Sequence, residues 1–171
     1  SSDQFKQIID SAKNSFFFYF WGVYAPNVDD TFYIPSRTDI IDIENGLKLV
    51  ATTDNTCWFI HKDFIEEMIN HLDLMNTNEL GWGWDLLICA FSHMAQRKVI
   101  RDYNFMINHP ASTGYLKDQA ENEMQEMYQK CPNDLKQVIY WIKVDPSKLA
   151  ALHGINTTKS DEILIYDTTK R

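Results

Sequence analysis

The sequence is short of several features that would each point to a function. Only three cysteines occur among 171 residues, Cys57, Cys89 and Cys131, and no Cys-x-x-Cys pair brings two together. That excludes a disulfide scaffold and leaves buried free thiols of the kind a reducing cytosol maintains. Cys57 and His61, four apart, lack the two further ligands a zinc site needs. Basic residues are scarce: Lys and Arg number 16 against 24 Asp and Glu, a net charge of −8. A phosphate backbone would be repelled, so nucleic acid is not an expected partner. The longest apolar run, Phe16 to Ala25, is about half of what a membrane-spanning helix requires. No basic-then-apolar signal opens the chain, and the expected location is cytoplasmic. Gly-x-Ser-x-Gly, P-loop and Gly-x-Gly-x-x-Gly patterns are missing, against hydrolase, NTPase and Rossmann functions. Asn156-Thr157-Thr158 matches a glycosylation acceptor, a triplet that also arises by chance.

What is present is a folding composition with many aromatics. Apolar residues make up 44%, charged residues 23% and aromatics 13%, which suits one folded domain over residues 1–171. Phe5, Ile8, Ile9 and Ala12 recur at helical spacing after Ser2. The run Phe16 to Tyr24 reads as a strand buried on both faces. Pro26, Asn27 and Asp29-Asp30 then break it into a loop running past Pro35 to the Asn45-Gly46 turn. Strands are expected over Leu47–Ala51 and Thr56–Ile60, then a helix over His61–Leu72 carrying Phe64, Ile65, Met68, Ile69 and Leu72 on one face. A second amphipathic helix follows Asp85, marked by Leu87, Ile88, Phe91 and Met94. Lys98–Ile107 reads as a strand, with Arg101-Asp102 on an exposed face. Tyr115–Lys130 reads as a peripheral helix, Leu135–Val144 as a short one, and Ile163–Tyr166 as a late edge strand. This order predicts an α/β domain with a mixed sheet flanked by helices.

Gly81-Trp82-Gly83-Trp84-Asp85 is the most informative stretch. Its glycines permit a tight turn, its indoles offer flat faces on which sugar rings stack, and its carboxylate opens a helix. One reading makes Asp85 a general base walled by Trp82 and Trp84. The other makes Asp85 a helix N-cap and the tryptophans core anchors. A helix N-terminus lowers a carboxylate's pKa, which weakens a base unless desolvation offsets it. Asp54, in Thr53-Asp54-Asn55-Thr56, has the chemistry of an Asx-turn and is also a candidate acceptor contact.

Taken in order, three stretches resemble the acceptor-side half of a GT-A glycosyltransferase. They are Thr53-Asp54-Asn55-Thr56-Cys57-Trp58-Phe59-Ile60-His61-Lys62, then Gly81-Trp82-Gly83-Trp84-Asp85, then Asn108-His109-Pro110. In that family an aliphatic or aromatic strand ends in a basic residue, matched by Trp58 to Lys62. A Gly/Trp-rich turn brings in the catalytic acid, often within a Glu-Asp pair. Asp85 occupies that slot, with Trp84 where the first acid would stand. A late strand ends in a metal-holding histidine, matched by His109. The resemblance spans residues 1–110 and leaves 111–171 as a helical C-terminal extension. It implies sugar transfer from a nucleotide-sugar donor to a carbohydrate or other hydroxyl acceptor. Asp85 would be the base, Trp82, Trp84 and Asp54 would bind acceptor, and His109 would help hold Mn²⁺ or Mg²⁺. The family's Asp-x-Asp triplet has no counterpart; Trp21-Gly22-Val23 stands about where it would fall, and Asp29 and Asp30 are the nearest acids. The nucleotide-binding half that precedes this region in the family is represented by one short helix, so the expected fold is GT-A-like and incomplete at its N-terminal side. Two rival functions remain: a carbohydrate-binding or regulatory module without catalysis, and a protein-interaction domain presenting its aromatics to a partner.

Overall fold

The structure is a computed structural model that describes residues 2–19, 21–29, 38–109 and 116–155, without the side chains of residues 2, 15–19 and 29. Asp30, Pro110, Asn156-Thr157-Thr158 and the expected strand Ile163–Tyr166 lie outside the described residues, as does the Asp29 side chain. Helix α1 (Ser2–Tyr19) leads into strand β1 (Trp21–Asp29), followed by β2 (Asp39–Glu44), β3 (Leu47–Val50) and β4 (Phe59–Ile60). Helix α2 (Lys62–Met68) continues into a 3₁₀ stretch, Ile69–Met75. Then come α3 (Trp84–Met94), β5 (Lys98–Asn108), α4 (Lys117–Lys130), α5 (Asn133–Val144) and α6 (Ser147–Leu152).

The strands form one mixed five-stranded sheet in the order β2-β3-β5-β1-β4. β1 and β5 are parallel, and the other neighbours are antiparallel. Helices cover both faces. Phe64, Leu87, Phe91, Leu135 and Ile139 pack with Val23, Val50 and Val99 on one side. Ile8, Ala12 and Ala150 pack with Trp21, Tyr24, Leu49 and Ile100 on the other. The expected class, an α/β domain with a mixed sheet between helices, is what the chain adopts.

Several expectations require correction. The aromatic run is divided: Phe16–Tyr19 completes α1, and the strand begins only at Trp21. A continuous apolar stretch carries no period by which to separate a helix end from a buried strand. β1 does not stop at Pro26. β4 pairs only with Val23 and Tyr24, so beyond them no other described strand pairs with that edge of β1, which tolerates a residue lacking an N–H. Pro26 pairs with Asp102, and the disturbance appears as a register shift before Asn27. The expected loop before Asn45-Gly46 contains a strand, β2, which makes the turn a hairpin; Asn45 (φ 46°) and Gly46 (φ 81°) both take the left-handed values of a type I′ turn. β4 is shorter than expected because Asp54 to Cys57 forms a turn. α6 was not expected.

The largest correction concerns Arg101 and Asp102, which are 1% and 0% exposed. Alternation with apolar neighbours suggests a half-exposed strand, but β5 lies between β3 and β1 under helices on both faces. The two charges are buried because each finds a full set of partners. Arg101 donates to Thr38 Oγ1 (3.0 Å) and the Thr52 carbonyl (2.8 Å), and lies 3.7 Å from Asp39 Oδ1. Asp102 accepts from the Tyr24 hydroxyl (2.6 Å), Ser11 Oγ (3.1 Å), and the Asn104 main-chain and side-chain N–H groups (both 2.9 Å). Burial, reinforced by the Asp102 carboxylate, raises the Tyr24 phenol well above its ordinary range, so it stays a donor. Replacing Arg101 by Met removes the donor to the buried Thr52 carbonyl and Thr38 hydroxyl, while Asp39 keeps Lys48 (3.0 Å) and Tyr103 (2.7 Å), and is expected to cost about 1–3 kcal/mol in urea unfolding. Tyr24→Phe, which leaves Asp102 its other donors, is expected to cost about 1.5–3 kcal/mol. Losses below about 1 kcal/mol in both would show that these charges do not hold the sheet.

Candidate functional site

The segment after β3 determines where the candidate residues meet. Ala51–Asp54 is buried and strapped between the sheet and α3. The Thr52 carbonyl accepts from Arg101 of β5 (2.8 Å), and the Ala51 carbonyl lies 3.0 Å from His93 Nε2 of α3. Between them, the main chain at Thr53 contacts the Cys89 thiol. Asp54 then reaches His109, just past the end of β5, with 3.9 Å between His109 Nδ1 and Asp54 Oδ1. Asp54 forms the expected Asx-turn: its Oδ1 accepts from the Thr56 N–H (2.7 Å) and also pairs closely with the Thr56 hydroxyl.

Helix α3 runs antiparallel to this strap, so His93 meets residue 51 and Cys89 meets residue 53. Side chains four apart share a helix face. One more turn therefore carries Asp85 toward the Asp54 end. Burial pushes the Cys89 thiol up to about 12, with the nearby Asp85 charge adding to the effect. Cys89 is thus an inert thiol, and Cys57, Cys89 and Cys131 are all free.

Asp85 is not the helix cap. That position belongs to Gly83 (φ 81°), with no side-chain capping bond, and Asp85 stands two residues further in. The turn before it is built by Asn78, which is 1% exposed. Asn78 Nδ2 donates to the Trp82 carbonyl (2.6 Å), and Asn78 Oδ1 accepts from Gly81 N–H (2.8 Å). Glu123 accepts from Leu80 N–H (3.0 Å). Gly83 is required twice, for its φ and because a Cβ there would sit 2.5 Å from the Tyr128 hydroxyl. Trp84 packs against the main apolar cluster, and its buried Nε1 has no hydrogen-bond partner among the described residues. Trp82 is half-buried. Both indoles are half-buried, and Trp84 is the one that packs against the main apolar cluster.

Two groups beyond the sequence-predicted set face Asp85. Tyr128 of α4 comes within 3.4 Å of the Gly83 carbonyl, and Lys143 of α5 places its Nζ 4.7 Å from the centre of the Tyr128 ring. Burial raises the Tyr128 phenol strongly, and the Asp85 carboxylate raises it further. Burial lowers the Lys143 ammonium, and the Asp85 carboxylate opposes that shift. Their positions forty or more residues downstream of Asp85 left no local signal. Cys57 and His61 do not form a ligand pair: Cys57 lies in the Asp54 turn, and His61 caps α2, its Nδ1 accepting from Asp63 N–H (3.3 Å). Among the described residues no group of three or more His, Cys, Asp or Glu could hold a metal. A separate cleft of about 270 Å³ lies toward the other end of α3, between Phe64, Met68, Phe91, Met94 and Leu135. No helix among the described residues is long and apolar enough to cross a membrane. No family model, curated protein or solved structure matches the chain.

A buried imidazole pair anchors the strap and was also missed from sequence. His93 Nδ1 lies 2.9 Å from His153 Nε2, while His93 Nε2 faces the Ala51 carbonyl. A carbonyl only accepts, so His93 carries its proton on Nε2 and His153 Nε2 donates to His93 Nδ1. Burial lowers His93 to about 4, and burial, with His93 and Lys98 close by, lowers His153 to about 3. Both stay neutral in the native state, whereas an unfolded histidine gains a proton near pH 6.5. Unfolding then takes up protons, and stability falls as pH drops from about 6.5 toward about 4. Urea midpoints should decline across that window, with a shallower slope in His153→Gln; identical slopes for parent and variant would contradict the assignment.

Proposed function

We propose that the chain is a GT-A-like glycosyltransferase domain that moves a sugar from a nucleotide-sugar donor to a carbohydrate or other hydroxyl acceptor. The observation that carries the reading is convergence. Asp54 and His109, far apart in sequence, approach within 3.9 Å, and α3, which carries Asp85 in its first turn, packs its Cys89 and His93 against the Ala51–Asp54 strap. Asp85 is the general base: it takes the proton of the acceptor hydroxyl as that oxygen bonds to the anomeric carbon. The bond from that carbon to the donor diphosphate breaks, and the diphosphate leaves with the electron pair. Trp82, with Trp84 beside it, is the apolar face for the acceptor ring, and Asp54 is an acceptor contact.

The imidazole of His109, with Asp29 and Asp30 as acids, would be the ligands for Mn²⁺ or Mg²⁺. Such a cation would neutralise the departing diphosphate, which an acidic chain needs more than a basic one. The carbohydrate-binding alternative draws on two facts: the sequence has no Asp-x-Asp triplet, and the described residues hold no three-ligand group.

Asp85→Asn is expected to lower donor hydrolysis or transfer by about 10²-fold or more while leaving the unfolding midpoint close to the parent's. Retention of the parent rate would remove Asp85 from the role. Calorimetry with Mn²⁺ and a nucleoside diphosphate distinguishes the alternatives, because a binding module gives no metal-dependent nucleotide heat.

A further inference from the structure

The cleft of about 270 Å³ at the far end of α3 from Asp85 has no part in the proposed transfer. It opens where α2, the C-terminal turns of α3 and the start of α5 meet. The buried side chains of Phe64, Phe91 and Leu135 form its inner wall. Two thioethers, Met68 and Met94, stand beside them, and polarizable sulfur is a favourable neighbour for an aromatic ring. Phe91 already holds one flat ring, the His71 imidazole, with centroids 4.8 Å apart and planes inclined by 28°. An apolar cavity of about 150 Å³ is enough to hold benzene, so this cleft has room for such a ring and a short chain. The charged groups that line it are both acids, Glu67 and Asp134, and neither Lys nor Arg is among the lining residues. Glu67 is committed: its two oxygens accept from Arg97 Nε (3.0 Å) and Nη2 (2.6 Å). Asp134 is exposed in the first turn of α5, where its Oδ1 accepts from Leu135 N–H (2.8 Å). That bond fixes the carboxylate, and none of the ion pairs among the described residues involves it.

We propose that this cleft is a binding site for a small aromatic ammonium ion, a benzene-sized ring on a short chain that ends in a protonated amine. The ring leaves water for the wall of Phe64, Phe91 and the two thioethers, and the amine donates to Asp134. The positive pole of α5 offsets part of the Asp134 charge, so the ionic contribution is modest and the ring supplies most of the affinity. An anion of the same shape meets a carboxylate with no cation beside it, and a neutral analogue gains the ring burial alone. This site goes beyond the transfer reading and stands whether or not the chain moves sugars, because none of its lining residues belongs to the Asp54, Asp85 and His109 set.

The test titrates phenethylamine into the full chain carrying isotope-labelled methionine methyls, with phenylethanol and phenylpropionate as the neutral and anionic counterparts. The methyl resonances of Met68 and Met94, assigned by their loss in Met68→Leu and Met94→Leu, are expected to shift saturably with phenethylamine. Those of Met106 and Met124, on β5 and α4, are expected to stay in place. Phenethylamine should bind about fivefold more tightly than phenylethanol, and phenylpropionate the least tightly of the three. Asp134→Asn keeps an acceptor for Leu135 N–H and removes the charge; it is expected to bring phenethylamine down to the level of phenylethanol and to leave phenylethanol unchanged. Ala95→Leu, at an exposed lining position, adds volume at the mouth of the cleft and is expected to weaken all three. Met68 and Met94 resonances that do not move with phenethylamine overturn the site. Equal affinities for the amine and the alcohol, with no change in Asp134→Asn, overturn the ammonium assignment. None of these readouts depends on transfer activity, so the failure of Asp85→Asn to affect transfer would leave this site standing.

Discussion

The buried Arg101 guanidinium is the constraint on which the arrangement depends. It cannot be left without partners in the interior, because an unpaired buried charge costs several kcal/mol. It satisfies that requirement by gathering Thr38, Asp39 and the Thr52 carbonyl around the middle of β5. The Thr52 contact is decisive for the site. It presses the segment after β3 against the sheet, where His93 and Cys89 of α3 hold its other side. Asp54 is then delivered to the end of β5, where His109 stands. A hydrophobic residue at 101 could fill the volume but would have no reason to fix the path of Ala51–Asp54.

Charge is distributed around this strap in an orderly way. On one face of β5, Asp102 is neutralised by neutral donors, Tyr24 and Ser11 among them; on the other, Arg101 faces Asp39. The imidazole pair uses one N–H from each ring, His153 just past α6 donating to His93 of α3 and His93 donating to the Ala51 carbonyl, and remains uncharged where a cation would be repelled by Lys98. At the opposite end of α3 the balance differs: Asp85 is only partly buried and meets a helix N-terminus and an ammonium. The buried charges Arg101 and Asp102 are thus each held by several partners, while Asp85 stands partly buried in the first turn of α3.

Legibility in the sequence followed the range of the interactions involved. The Asn45-Gly46 turn, the Asp54 Asx-turn, α3 and β5 are set by nearest neighbours or by a clear apolar period, and each was visible. The boundary between α1 and β1 was not, since Phe16 to Tyr24 offers aromatics at every step and no period to read. The burial of Arg101 and Asp102 was invisible because alternation describes one strand, while burial depends on partners such as Ser11 and Tyr24 at one extreme of the chain and Thr38 and Thr52 in the middle. Asp54, Asp85 and His109 could be named from residue type and order. The approach of Asp54 to His109, and the packing of Tyr128 and Lys143 beside the Gly83 turn, required the tertiary path.

The most direct test of the central claim is a proximity measurement at the strap. A nitroxide attached at the exposed turn through Asn55→Cys, in a Cys57→Ser background, should broaden the amide signals of Asp85, Leu86 and His109 and leave those of Gln96 and Lys98, at the other end of α3, sharp. Broadening at Gln96 and Lys98 with sharp signals at Asp85 and His109 would mean that the strap runs the other way and that the candidate residues do not share a site.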